Sequence, residues 1–133
     1  MASIFENPNY RPFEKVAGKI SINVRGNSIS FSKQLLSKLD YPHFIQVFIN
    51  PIDRKLGIRV CSKEDVNSLR FVPEGKGKID SLRWSNPQFT REIRAMVDGQ
   101  LSSQDFTCSG EFIPDENAVL IDMMTASQLI SKA

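Results

Sequence analysis

The chain is poor in the side chains that metal and nucleophile chemistry need, with two cysteines and one histidine among 133 residues. Structural zinc takes four clustered thiolate or imidazole ligands, so a site of that kind is excluded and no metal is expected. Cys61 closes the apolar run LGIRVC, and Cys108 follows 47 positions later in DFTCSG. Both read as reduced thiols serving as small core residues. His43 stands between Pro42 and an apolar run, with no serine or cysteine at a motif spacing. It reads as a strand-edge or core histidine with a hydrogen-bond partner. Asp53, Asp115 and Glu116 fall in expected turns, where a short acidic side chain already serves the backbone. There is no Gly-x-Gly-x-x-Gly fingerprint, and PEGKGKID lacks the closing Lys-Ser/Thr and following helix of a phosphate loop, so it reads as a basic connector. The expectation is a protein that is not an enzyme and carries no cofactor.

Long apolar runs are missing too. None approaches the roughly 18 residues of a membrane span. MASIFENPNYRPFEK lacks a basic region followed by an apolar stretch and a small-residue cleavage site. A cytoplasmic protein without a membrane partner is expected. A hydrophobic share of 41% and a charged share of 24% are those of a folded globular chain. The length suits one domain over 1–133, with an N-terminal arm at 1–16, a first half at 17–61, a connector at 62–79, a second half at 80–124 and a tail at 125–133.

What is present is mostly strand pattern. GKISINV alternates Ile20, Ile22 and Val24 with polar residues, RGNS is a turn, and ISF resumes the strand. Ser32 is placed to cap a short helix over SKQLLSKL, whose apolar face is Phe31, Leu35, Leu36 and Leu39 and which DYP stops. HFIQVFIN reads as a central strand covered on both sides, and NPIDRK as the loop that returns the chain along KLGIRV. A short strand is expected around Leu69 to Val72, then a strand at SLRW. In SNPQFTREIRAMVDG, Asn86 caps a helix, Pro87 opens it, Gly99 ends it, and Phe89, Ile93, Met96 and Val97 form its inner face. DFTCSGEFI and AVLIDMM form a hairpin across PDEN, and TASQLISK suggests a terminal helix. The fold class is α+β, mainly antiparallel β as a sheet or small barrel with two short helices. The two stretches FINPIDRKLGIRV and EFIPDENAVLIDM share a plan, which suggests duplicated β-α-β-β halves.

The net charge of +2 hides an uneven distribution. Residues 11 to 94 hold sixteen of seventeen Lys and Arg but eight of fifteen acids, a block of +8, whereas residues 95 to 133 carry −5. Lys19 and Arg25 lie on the outward side of the first strand, Lys55 and Arg59 on that of another, and Arg70 and Arg83 at polar positions of two more. In one sheet these would form a row of cations, with Ser21 and Asn23 among them, facing a phosphate backbone.

The stretch from Asn27 to Val60, NSISFSKQLLSKLDYPHFIQVFINPIDRKLGIRV, resembles the unit of AbrB-type and MraZ-type regulators: a strand, a short helix opened by a small residue and Lys, a leucine near its end, then two strands. Ile29, Phe31, Lys33, Leu36 and Leu39 occupy the pattern's apolar and basic positions. The stretch is also similar to small bacterial proteins with an I-S-F-x-K strand-helix junction and a D-x-x-x-x-G-I-R hairpin, matched here by Asp53 and Leu56 to Arg59. Ser32 stands where the family has a helix-opening proline and Asp40 where it has a glycine. The resemblance implies a DNA-binding β-rich domain in which two units associate, by duplication or as a homodimer. It makes Lys19, Arg25, Lys33 and Lys38 candidates for phosphate contact. The expected function is non-enzymatic nucleic-acid binding through a basic sheet face, with DNA as the expected partner or else another polyanion. The alternatives are a homo-oligomeric protein that binds a small anionic ligand such as a nucleotide, and a structural protein-interaction module.

Overall fold

The computed structural model describes residues 4–7, 9 and 19–129. Among the described residues eight antiparallel strands form one curled sheet, a half-barrel, in the spatial order β5-β3-β4-β8-β7-β1-β2-β6. The strands are β1 (Ser21–Arg25), β2 (Ser28–Phe31), β3 (Phe44–Asn50), β4 (Lys55–Val60), β5 (Leu69–Arg70), β6 (Leu82–Ser85), β7 (Phe106–Ile113) and β8 (Ala118–Gln128). Two helices, α1 (Lys33–Lys38) and α2 (Pro87–Arg94), cover the inner face. Among the described residues no helix is long and apolar enough to cross a membrane.

The strand periodicity decides which face is inner. Ile22 and Val24 of β1, Ile29 and Phe31 of β2, Leu56 and Ile58 of β4, Phe106 and Cys108 of β7, and Val119 and Ile121 of β8 are all buried. α1 adds Leu35 and Leu36, α2 adds Ile93, and the turn that follows it adds Met96 and Val97. Phe31, Phe71 and Trp84 meet edge to face, with centroids 4.8 to 5.7 Å apart. Such contacts favour the positive ring edge over the negative face.

The local signals work as chemistry requires. Gly26, at φ 55°, is the first central residue of the two-residue β1–β2 turn, a position where other residues are strained. The Ser28 hydroxyl donates to the Arg25 carbonyl across that turn at 2.9 Å. Ser32 caps α1, its hydroxyl accepting from Leu35 N at 3.2 Å and from Ser21 N at 3.0 Å. Because one oxygen serves both the helix and β1, Ser32→Ala is expected to cost about 1 to 2 kcal/mol in chemical denaturation. A loss within a few tenths of that of a solvent-facing Ser37→Ala control would refute the cap. Asp40 and Tyr41, both with positive φ, end the helix, as DYP suggested. Asn86 caps α2 by accepting from Phe89 N at 3.0 Å.

Several expectations need correction. β3 is not central: its outer neighbour is the two-residue β5 at the sheet edge, which pairs only with Phe44 and Ile45, and Phe48 is 48% exposed. Its apolar run reflects a buried inner face and an apolar patch outside. α2 ends at Arg94, not at Gly99, which opens a separate 3₁₀ turn over Gly99–Ser103. TASQ is strand, because β8 runs to Gln128 and pairs with β7 at Ser127 and Gln128. The rest of the expected terminal helix lies outside the described residues beyond Leu129. So does most of the N-terminal arm, of which the 3₁₀ turn Ile4–Glu6 is described. Cys108 is a core residue, whereas Cys61 is half-buried at the end of β4.

Candidate nucleic-acid interface

The register of the ladders arranges the outer face in rows that cross the sheet. One row is Arg83, Ser30, Asn23, Thr107 and Ser127, on β6, β2, β1, β7 and β8. The next is Ser21, Ser109, Asp122, Lys55 and Asn50. A third is Glu111, Leu120, Gly57 and Phe48. The face therefore divides into a half rich in hydroxyls and amides over β6, β2, β1 and β7, and a mixed half over β8, β4 and β3.

Six of the eight expected cations share this face. Arg25, Lys55, Arg59, Arg70 and Arg83 sit at outward register positions, and Lys19 borders Ser21 and Ser109. The carboxylates at outward positions of the ladders are Asp122 and Glu111. Lys33 and Lys38 do not join the six. They project from α1 on the opposite layer, where Lys33 pairs with Asp80 at 3.4 Å and the Lys38 ammonium lies 5.8 Å from the Phe112 ring centroid.

The expected row of free cations is also interrupted. Lys55 pairs with Asp122 at 3.2 Å. Arg59 donates to Gln46 Oε1 at 3.2 and 2.8 Å, pairs with Glu116 at 3.5 Å and covers the Phe48 ring at 4.8 Å. The Met124 N–H, bonding at 3.0 Å, and then Lys55 hold the Asp122 carboxyl below its ordinary range. Among the described residues Lys19, Arg25, Arg70 and Arg83 are exposed and make no ion pair. Three of the four ion pairs among the described residues, including Arg54 with Asp98, join the basic block of the sequence to its acidic block.

His43 Nδ1 lies 2.8 Å from the Val72 carbonyl, beside the β3–β5 ladder. Burial, followed by the Asp122 charge, pushes the Cys108 thiol up to about 12. Burial also raises Cys61, with Asp65 adding and Arg59 opposing. Neither thiol is thereby made a nucleophile. Among the described residues no three metal-ligating side chains cluster.

Three features escaped the sequence reading. Arg94 donates to the carbonyls of Ser102, Gln104 and Gly26 and lies over Phe106, centroid distance 5.5 Å, tying α2, the 3₁₀ turn and the β1–β2 turn together. β8 bulges, so that Cys108 of β7 faces four residues, Met123 to Ala126. An apolar groove of about 820 Å³ runs over Phe48, Gly57 and Leu120, flanked by Ile52 at 90% and Met124 at 72% exposure. The apolar run in HFIQVFIN carried a trace of the groove, since it puts Phe48 on the outer face. The other two depend on partners distant in sequence.

No family model matches the chain, and no significant match was found among curated proteins or solved structures.

Proposed function

We propose that the protein is a non-enzymatic nucleic-acid-binding protein, regulator-like and directed at DNA, that uses the hydroxyl-rich half of its outer sheet face. The observation that carries this reading is the placement of Lys19, Arg25 and Arg83, exposed and unpaired among the described residues, around Ser21, Asn23, Ser30 and Thr107. Cations and hydroxyls are the groups that contact phosphate oxygens. Lys55 and Arg59, already held by Asp122 and Glu116, contribute less. The likeness of residues 27–60 to AbrB-type and MraZ-type regulators points the same way.

Duplicated halves would place β3 and β4 opposite β7 and β8 about the β4–β8 seam. The order β3-β4-β8-β7 suits that symmetry, while β1 beside β7 and β5 beside β3 depart from it. The apolar groove favours a second reading, a surface for a protein partner or a second copy.

The test is fluorescence anisotropy of labelled duplex DNA over a salt series. Binding should fall steeply with salt. Arg25→Ala/Arg83→Ala should weaken it roughly tenfold or more on every sequence, against little change for Lys33→Ala/Lys38→Ala. Absence of binding at low salt would reject the proposal.

A further inference from the structure

Where β7 and β8 separate, the outer face opens into a depression of about 280 Å³ lined by Lys19, Ser21, Thr107, Ser109, Thr125 and Ser127, backed by Cys108. The lining has one ammonium, five hydroxyls and no carboxylate. The bulge makes this space, because four residues of β8 are accommodated opposite one of β7. Bulges of this sort re-aim side chains and are over-represented beside functional sites.

The bulge is held by its own bonds. Thr125 Oγ1 accepts from Ser109 N at 2.9 Å and donates to the Asp122 carbonyl at 2.6 Å. Thr107 Oγ1 donates to the Ile22 carbonyl at 3.1 Å. Those two hydroxyls are structural. Among the described residues the hydroxyls of Ser21, Ser109 and Ser127 have no hydrogen-bond partner, and Lys19 has no acid. Ser21 and Ser109 are directly opposite each other in the β1–β7 ladder. The nearby carboxylate, Asp122, is turned to Lys55 and to Met124 N.

One exposed ammonium and three uncommitted hydroxyl donors around a polar depression match the needs of a small tetrahedral anion, which accepts several hydrogen bonds and is balanced by a positive charge. A neutral ligand would leave the ammonium without a role. We infer that the β7–β8 bulge is a phosphate seat, with Lys19 as its countercharge and Ser21, Ser109 and Ser127 as donors. As a seat for a backbone phosphate of nucleic acid it rests on the reading of the outer face given above. The same chemistry also suits the phosphate of a small phosphorylated molecule.

Two measurements on the full chain separate these sources. Inorganic phosphate is titrated at constant ionic strength against chloride while ¹H–¹⁵N spectra are recorded, and duplex DNA anisotropy is measured for wild type, Lys19→Gln and Ser21→Ala/Ser109→Ala. The expected result is that phosphate moves the amides of Ser21, Ser109 and Ser127 in wild type and not in Lys19→Gln. DNA affinity falls about tenfold in both variants, the salt slope of Lys19→Gln drops by about one, and Tm is unchanged. If Lys19→Gln does not fold, the serine variant carries the test. Phosphate-dependent shifts with DNA affinity unchanged, or with no DNA binding, keep the seat and assign it to a small phosphorylated molecule. In the second of these cases the nucleic-acid reading falls. DNA binding that needs Arg25 and Arg83, with no phosphate shifts and no effect of the seat variants, overturns the seat alone. Neither phosphate shifts nor DNA binding overturns both.

Discussion

Gly110→Ala is expected to lower stability by about 3 kcal/mol, a large share of the roughly 5 to 15 kcal/mol that holds a domain folded. Gly110 lies on β7 with its α-carbon facing β8, where the two strands come unusually close. A Cβ there would stand 2.2 Å from the Leu120 carbonyl oxygen and 2.8 Å from the Ile121 Cα. Those atoms belong to the backbone of the neighbouring strand, so no rotamer change relieves the overlap. Relief requires β7 and β8 to separate, which breaks the ladder bonds around Gly110 and Ile121. Gly57→Ala supplies the contrast, because its Cβ would meet Phe48 Cβ at an ordinary 3.5 Å. That substitution is expected to be neutral or to stabilise by a few tenths of a kcal/mol, through a less flexible unfolded chain. Urea midpoints of the two variants provide the measurement. Equal midpoints would mean that the close approach of β7 to β8 is wrong.

Arg94→Met is expected to cost about 2 to 4 kcal/mol and to lower Tm by roughly 10 °C. Methionine keeps much of the stem and its packing but loses the guanidinium that serves the carbonyls of Ser102, Gln104 and Gly26. Bonds from a charged donor are worth more than neutral ones, and three acceptors, those of Ser102 and Gln104 half-buried, would be left to find water. The loss also frees the β1–β2 turn, whose Gly26 N–H is held at 3.2 Å by Asp105. Arg91→Met, at an exposed position of the same helix, should stay within about 0.5 kcal/mol of wild type. Thermal unfolding followed by circular dichroism decides the matter, and similar values for the two variants would remove Arg94 from its anchoring role.

Local chemistry was legible in the sequence, and distant pairing was not. Ser32 and Asn86 announced their helices because a cap is an interaction within three residues. The hairpins β3–β4 and β7–β8 could be read because NPIDRK and PDEN lie directly between alternating segments. Nothing local says that β8 pairs with β4, or that β1 pairs with β7, where Asn23 meets Thr107 and the Thr107 hydroxyl reaches the Ile22 carbonyl 85 positions away. The candidate site suffered most from this. The +8 block carried a surplus of cations in one dimension, yet β8 and the turn before it bring Asp122 and Glu116 to Lys55 and Arg59. A charge count by segment overstates a basic face whenever the acidic segment is woven into the same sheet. Lys19, Arg25 and Arg83 escape because β7, β1 and β2 bring them hydroxyls and amides for neighbours.

The position of β8 has a consequence for how the chain reaches this state. Of the described strands it is the furthest along the sequence, yet it lies in the middle of the sheet between β4 and β7. Until it docks, the β5-β3-β4 segment is held to the strands beyond it by no ladder, and both β4 and β7 present open edges. A ribosome delivers the N-terminal strands first, so the emerging chain carries apolar half-sheets that cannot close on one another. Searching for β8 is a non-local step of the kind that makes β-rich chains fold slowly and exposes them to mispairing. Assembly of the core therefore depends on a segment that the ribosome supplies only after nearly everything it must join.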